Sequence, residues 1–428
     1  MKVLVVGGGG REHALCWALR RDLSADKLFC APGNPGTAEL ATNLPIGPQD
    51  DAHLIAAARD NAIELTVIGP EAPLARGLAD RMRAAGLVVF GPSAAAARIE
   101  ASKAFAKEVM RAAKIPTAPS QTFSELSAAL AYVERHSEPL VVKASGLAAG
   151  KGAIICATRG EAKHTLTAIL RDGMFGDAGK EVVVERFLEG EELSVLALSN
   201  GFELVVLPAA QDHKRLREKD LGPNTGGMGA YSPVSLATPE LLQRVERLVL
   251  RPALEEMERR NTPFTGVLYA GLMLDGADSF HVIEFNCRLG DPEAQVILPR
   301  IRTGLLPCLL AAAKAEPLPA LTTSTGMAVT TVLAAAGYPG EPRRGDAITI
   351  PDQLPRGCTI FQAGTQRDEA GTLRTNGGRV LAVTALAPSF REAQEASRSA
   401  AESIQFEGKQ FRRDIGWREA TRLGKREK

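Results

Sequence analysis

A chain of 428 residues, 45% hydrophobic and 24% charged, is too long for one core and divides into two to four domains. Its 51 basic and 50 acidic residues leave a formal charge of +1, without the basic field that a general nucleic-acid or membrane-surface binder needs. Cys16, Cys30, Cys156, Cys287, Cys308 and Cys358 are scattered, with no C-x-x-C pair and no close Cys/His cluster. Reduced thiols are therefore expected, rather than a zinc site or a disulfide framework. The opening "MKVLVVGGGG" has an apolar run too short for a signal peptide, and no uninterrupted apolar run approaches a membrane helix, so a cytoplasmic protein is expected.

Strand "KVLVV" (2–6) leads through glycines to a helix beginning near Arg11, and strand-like runs recur at 27–31, 65–70 and 87–92 with Ala-rich amphipathic segments between them. This alternation predicts a parallel, doubly wound α/β domain over residues 1–102. A helix over 102–113 ends at "KIPTAPS", where prolines break it. Strands "PLVVKAS" and "GAIIC" follow with only a glycine loop between them, then "EVVVERFL", "ELSVLALS" and "FELVVLPAAQD" with short turns, the pattern of antiparallel sheet. A helix at "TPELLQRVERLVLRPALEEMER", despite Pro252, precedes "GVLYAGLMLDG" and "FHVIEFN". From about 326 a small α+β region closes with a helix at "SFREAQEASRSAAESI", and the basic end "FRRDIGWREATRLGKREK" reads as a solvated helix with a frayed tail.

The amino-terminal glycines do not make a dinucleotide turn: G-x-G-x-x-G from Gly7 needs glycine where Glu12 stands, and the second strand runs into "APGNPGT" without an acidic ribose clamp. A phosphate held by backbone N–H groups at a helix start stays open beside a plain tight turn. "APGN" (31–34) and "GPEAPL" (69–74) open on the same sheet edge, with Glu71 placed to take a sugar diol.

"GLAAGKG" (146–152) is one residue short of a Walker loop, lacks the hydroxyl after Lys151, and joins strand to strand. A glycine-rich hairpin lid over a nucleotide fits it better. Lys143, within an apolar strand, calls for a partner such as phosphate, whereas Lys103 is open between a site residue and a solvated helix position. In "HVIEFNCRLGDPE", Glu284 and Asn286 share a strand face, with Ile283 and Phe285 on the other, and offer two oxygen ligands to Mg²⁺. Arg288 would add a cation for a developing anion. The loop 211–233, rich in glycine, suits close backbone approach to a small ligand. His213 within it is read as a surface residue as readily as a base and is assigned no role.

"GGREHA", "GPEAPL", "GLAAGKG", "QDHKR", "GPNTGGMGAYSP", "LYAGLM", "EFNCRLGDPE" and "TNGGRVLAVTA", in this order across almost the whole chain, resemble the ATP-grasp superfamily and, within it, the phosphoribosylamine–glycine ligase family. The resemblance implies an amino-terminal Rossmann-like domain (1–102), an ATP-grasp region with antiparallel sheets (103–325, lid about 118–188) and a small carboxy-terminal α+β domain (326–428). It implies that ATP phosphorylates the glycine carboxylate and that the amine of 5-phosphoribosylamine then displaces phosphate. The implied ATP contacts are Lys103, Lys143 and the hairpin residues Gly146, Gly150, Lys151 and Gly152. Glu185, Arg186 and Leu188 are implied as the adenine hinge, and Glu192 as the ribose clamp. Glu284 and Asn286 become ligands of Mg²⁺ or Mn²⁺, and Arg288 with Lys143 the catalytic cations. Gly226, Gly227, Met228 and Gly229, with Asp212, Lys214 and Arg288, are implied around the substrates, and Gly9, Gly10, Asn34 and Glu71 around the phosphoribosyl group. Ser145 stands where the family has aspartate, and "LYAGLMLDG" offers no second metal carboxylate in register. The expected partners are these small molecules, with no nucleic acid or membrane, in a monomer or weak homo-oligomer. The alternatives are another ATP-grasp acyl-phosphate ligase acting on a ribonucleotide, a nucleotide-binding regulator without turnover, and, disfavoured by Glu12, a dehydrogenase.

Overall fold

The structure is a computed structural model that describes residues 1–426 apart from Ala149, Ala277 and Asp278. Ala149 of the glycine hairpin and the last two residues of the basic tail therefore lie outside the described residues.

Near-continuous apolar runs make the first sheet, as expected of parallel strands covered on both faces. Strands β1 (Val3–Gly7), β2 (Leu28–Pro32), β3 (Thr42–Asn43), β4 (Leu65–Ile68) and β5 (Val89–Phe90) pair in parallel in the order β3-β2-β1-β4-β5. Helices α1 (Gly10–Leu19), α2 (Asp51–Asp60), α3 (Glu71–Ala75), α4 (Leu78–Ala84) and α5 (Ala94–Ala101) fill the connections. Glu12, the residue that breaks the dinucleotide pattern, folds back on the first turn: its Oε2 accepts the Gly9 N–H at 2.7 Å and its Oε1 meets Arg11 Nε at 2.6 Å. The start of α1 is thus occupied by its own carboxylate.

Helix α6 (Lys103–Ala112) leads into an antiparallel sheet β6-β9-β7-β8, formed by β6 (Ser120–Phe123), β7 (Leu140–Ala144), β8 (Ala153–Cys156) and β9 (Val182–Arg186). Helices α7 (Leu126–Glu134) and α8 (Arg159–Leu170) cover one face around Val133, Leu166 and Val184.

Next come β10 (Glu191–Asn200), β11 (Leu204–Val206), β12 (Gln211–Asp212), the hairpin β13 (Arg215–Arg217) and β14 (Leu221–Asn224), and β15 (Gly229–Ser232). Helices α9 (Pro239–Val245) and α10 (Arg251–Arg259) are joined by a π-turn over Glu246–Leu250. The wider turn lies just before Pro252, which has no N–H to continue the α ladder. Strands β16 (Thr265–Leu274) and β17 (Phe280–Asn286) complete the antiparallel sheet β11-β10-β16-β17.

Helices α11 (Ala294–Ile297) and α12 (Leu305–Ala313) and the small pair β18 (Ile301–Thr303) and β19 (Thr322–Thr323) lead to β20 (Met327–Ala334), β21 (Cys358–Gln362), the pair β22 (Thr365–Arg367) and β23 (Leu373–Thr375), β24 (Arg379–Ala387) and α13 (Phe390–Ser403). The sheet here runs β12-β15-β20-β24-β21, so two strands of the polar loop 211–233 belong to the carboxy-terminal sheet.

The basic end is not a solvated helix. Arg412 is fully buried and pairs with Asp220 at 2.8 Å and Asp414 at 2.7 Å. In the last helix, α14 (Trp417–Arg426), the buried Glu419 accepts from Ser235, and Arg422 pairs with Glu191 at 2.7 Å. Arg412 and Arg418 are thereby drawn in to neutralise Asp220 of the polar loop. Among the described residues no helix is long and apolar enough to cross a membrane.

Candidate functional site

A cavity of about 470 Å³ opens between the α5–α6 junction, the lid sheet β6-β9-β7-β8 and the sheet ending in β17. Lys103 is no solvated position. Helix α6 starts at the cavity wall, capped by Ser102, whose hydroxyl accepts the Phe105 N–H at 3.2 Å. Ser145 supplies a second acceptor there, taking the Ala104 N–H at 3.1 Å, so the serine that replaces the family's aspartate still serves the helix end. Lys103 Nζ donates to Gly146 O at 3.1 Å, while burial holds its pKa below the ordinary value against the pull of Glu284.

Lys143 on β7 is buried as expected, but its partners are internal: it pairs with Glu185 of β9 and donates to Ile283 O at 2.9 Å. Glu185 is held on its other side by Lys107 at 2.6 Å. Lys107 was absent from the sequence reading, although its position one turn after Lys103 places both on the same helix face. Arg186, Phe187 and Leu188 continue along the cavity as a hinge strip. Of the glycine hairpin, Leu147, Ala148, Gly150 and Gly152 line the cavity, Gly150 with φ +77°. Gly146 packs on Ala178, and exposed Lys151 does not line the cavity.

Strand β17 alternates less simply than its sequence implies. Its register against β16 shifts between Gly271 and Leu272, where Gly271 faces Glu284 and Leu272 faces Val282. Ile283 is the extra residue of this bulge and lines the cavity, whereas Phe285 belongs to the core as well as bordering the cavity. Glu284 and Asn286 both face the cavity, and among the described residues neither side chain has a hydrogen-bonding partner. Burial raises the Glu284 carboxyl, but Lys214, Lys143, Lys103 and Arg288 together hold it below its ordinary value. An ionised carboxylate and a neutral amide oxygen, both unspent on one strand, suit a hard divalent cation that shares its remaining positions with phosphate and water. No group of three acidic, His or Cys side chains among the described residues makes a self-sufficient metal cage.

Arg288 follows the end of β17 yet reaches the same cavity, held by Glu71 at 3.1 Å and Glu100 at 3.0 Å. Burial pushes the Glu71 carboxyl up, and Arg288 with Arg11 more than offsets this.

Deeper in, Lys214 pairs with Glu192 and with Asp212 at 3.0 Å. Burial opposes its charge, but Asp212 and Glu192 overcome this and push the ammonium pKa well above its usual range. Burial pushes Asp212 up to about 6 despite Lys214, with Glu293 adding to the rise. Glu293 accepts from Tyr269 Oη at 2.6 Å, and Tyr269 meets Ser194 at 2.8 Å. Neither Glu293 nor Tyr269 was singled out from the sequence, though both lie inside quoted motifs, "GDPE" and "LYAGLM".

His213 is buried rather than at the surface, and its Nε2 accepts the Gly416 N–H at 3.0 Å. Burial, with Arg412 nearby, lowers its pKa to about 3, so it stays neutral. Gly226 reaches the cavity: its N–H donates to Tyr338 Oη at 2.9 Å and its carbonyl accepts from Arg379 at 2.5 Å. Gly227 has φ +112° with Pro292 against it, Met228 is fully buried, and Gly229 enters β15, so these three do not line the cavity.

A second cavity of about 410 Å³ lies beside the first, with Asp291 and Arg379 lining both. Gly9 and Asn34 line it. Gly10 faces Gln295 instead. The Gly9 N–H is spent on Glu12, and the Asn34 amide donates to Gly8 O at 3.0 Å and Gln362 O at 2.8 Å. Neither group is therefore a free donor at this rim, which Arg379 also lines.

A parallel α/β domain, a two-sheet clamp closing on a lysine-lined cavity and free oxygen ligands on the last strand define an ATP-grasp enzyme, a class that uses ATP. The chain matches the models for phosphoribosylglycinamide synthetase N domain over residues 1–100, ATP-grasp (A) domain over 101–294 and C domain over 328–418. It is 48% identical to phosphoribosylamine–glycine ligase of Ralstonia nicotianae, over 98% of this chain and 99% of that protein. To the ligase of the same name from Nostoc sp. it is 46% identical over 98% and 99%. The crystal structure of phosphoribosylamine–glycine ligase from Thermotoga maritima superposes with a TM-score of 0.86 at 35% identity, covering 97% of this chain and all of that one. The biotin carboxylase domain of Hydrogenobacter thermophilus 2-oxoglutarate carboxylase shares the fold alone, with a TM-score of 0.74 at 18% identity over 96% of this chain and 91% of that one. The chain belongs to the phosphoribosylamine–glycine ligase (phosphoribosylglycinamide synthetase) family.

Proposed function

We infer that this chain joins glycine to 5-phosphoribosylamine with ATP, through glycyl phosphate, giving glycinamide ribonucleotide, ADP and phosphate, a step of purine biosynthesis. The observation that carries this reading is one cavity in which Lys103, Lys143 and Arg288 face the unspent oxygens of Glu284 and Asn286, with Asp212 and Lys214 beside them. Family membership at 48% identity over nearly the full length supports the same reaction.

The cations Lys103 and Lys143 take the nucleotide phosphates, and the strip Glu185–Leu188 takes the adenine, with Glu192 at the ribose. Glu284 and Asn286 hold Mg²⁺ or Mn²⁺, which when bound draws the nucleotide phosphates into line and offsets their charge. Asp212 takes the ammonium of glycine, leaving its carboxylate toward the transferred phosphoryl group. Lys214 keeps Asp212 and Glu192 from repelling each other. Arg288, fixed by Glu71 and Glu100, stabilises the charge that develops on the acyl phosphate. Gly150 and Gly152 let the hairpin close and exclude water, without which an acyl phosphate hydrolyses. The amine of phosphoribosylamine enters from the second cavity, past Arg379 and Asp291. The domain bounds carried with this reading are 1–102, 103–325 and 326–428. Six free cysteines and the need for ATP accord with the cytoplasm.

The test is ADP release from ATP on mixing the protein with glycine, phosphoribosylamine and Mg²⁺. Release must stop when glycine is omitted; ADP formation indifferent to glycine would sink the assignment. Glu284→Ala is expected to lower turnover at least about 100-fold, an effect of the size seen when a phosphoryl-transfer site loses its charge stabilisation.

A further inference from the structure

Glu185 is only 3% exposed, and two ammonium groups reach its carboxylate from opposite elements, Lys143 from β7 and Lys107 from α6. The two lysines differ in what else they touch. Lys143 borders the cavity beside Lys103 and Glu284, where the nucleotide phosphates are read above. Lys107 also lines the cavity, but its other bond goes to Thr117 Oγ1 at 2.8 Å, and Thr117 Oγ1 donates to Val282 O at 2.6 Å. Thr117 also bridges to Val282 in the backbone. Lys107 is thus tied through Thr117 to β17, whereas Lys143, which gives its other bond to Ile283 O, is the one beside Lys103 and Glu284.

A buried carboxylate left without a cation is strongly destabilising, so Lys143 can leave Glu185 for a phosphate only if another cation stays behind. We propose that Lys107 is a positioning residue for ATP binding: it keeps Glu185 neutralised so that Lys143 is free to move onto the nucleotide phosphates. In this arrangement Glu185 needs one lysine, two are present, and the surplus positive charge is the one offered to the ligand. The proposal rests on the reading that the cavity takes ATP.

The test measures the Kd of a non-hydrolysable ATP analogue with Mg²⁺ by titration calorimetry on the full chain, together with KM for ATP and for glycine. Lys107→Met makes Lys143 the sole counter-ion of Glu185, and the analogue is expected to bind at least about 10-fold more weakly. The KM for glycine should stay within about twofold, and Lys107→Arg should bind nearly as the natural protein does. Because Glu185 also borders the adenine strip, Lys107→Met/Glu185→Gln is compared with Glu185→Gln alone: with the carboxylate gone Lys143 is free in both, and their Kd values should agree within about threefold. A merely structural lysine would not be rescued in this way. The double variant, which buries no unpaired charge, also decides the matter if Lys107→Met fails to fold. The proposal is overturned if folded Lys107→Met binds the analogue within about twofold of the natural protein, or if the double variant binds about 10-fold weaker than Glu185→Gln alone, or worse. Because the readout is nucleotide binding, absence of glycine-dependent turnover in the natural protein would sink the ligase reading without touching this one.

Discussion

Asp212 shows how one side chain ties the acidity of the cavity to its work. Burial lifts its pKa from 3.8 to about 6, with Lys214 opposing and Glu293 assisting the rise. A carboxyl raised in the folded state favours folding when protonated. Its contribution to stability is full below pH 3.8 and is lost as the pH rises through about 6. Its proposed use, as the anion that holds the glycine ammonium, runs the other way, since only the ionised form carries the charge. The value of kcat/KM for glycine should therefore fall below about pH 6, and Asp212→Asn should abolish both the activity and this limb of the profile. A profile flat between pH 5 and 7 would remove Asp212 from that role. Ser145 offers a second check at this scale. Ser145→Ala deletes the acceptor of the Ala104 N–H and should lower stability by about 1 kcal/mol, read from the denaturant midpoint.

At the scale of elements, strand β17 and the glycine loop carry the site. The bulge at Ile283 sends its carbonyl to Lys143 and keeps Glu284 and Asn286 toward the cavity. A period-two reading finds the Glu284 and Asn286 pair but not the bulge, because the extra residue is set by pairing with β16 rather than by the composition of β17 itself. The loop after β14 is held by contacts equally remote in sequence. Gly227 has φ +112°, and a Cβ there would lie 2.4 Å from Pro292 Cδ. Gly227→Ala should displace Gly226 from Tyr338 and Arg379. The expected result is at least about a 10-fold rise in the KM for glycine, with the Kd for the ATP analogue within about twofold. Equal losses in both would mean that the loop serves the nucleotide as well.

At the scale of the molecule, the carboxy-terminal region is part of the catalytic frame rather than a cap. Its sheet takes in β12 and β15, its Arg379 and Tyr338 hold Gly226, its Arg412 and Arg418 pair with Asp220 of the polar loop, and Glu419 and Arg422 hold Tyr231. Arg412→Met would leave Asp220 and Asp414 facing each other without their shared guanidinium. It should lower stability by about 3 kcal/mol in urea and reduce turnover as the loop 211–233 loosens. Turnover unchanged after such a loss would separate the loop's support from its function.

Several features were legible along the chain because they are local. Apolar runs without alternation mark the parallel sheet, the spacing of Glu284 and Asn286 marks a common strand face, and strand-to-strand placement of "GLAAGKG" rules out a Walker loop. Charge pairing between distant segments was not legible, since a side chain's partner is decided by which elements the fold brings within a few ångströms. The burial of Lys107, His213 and Arg412, the occupation of the α1 start by Glu12, and the spending of the Asn34 amide on Gly8 and Gln362 are all of that kind. The sequence by itself determined the chemistry present: lysines and an arginine for phosphate, oxygens for a metal, glycines for close approach. Tertiary structure alone decided which of those charges are free for a ligand and which are consumed within the fold, because burial makes an unpaired charge too unfavourable to leave without a neighbour.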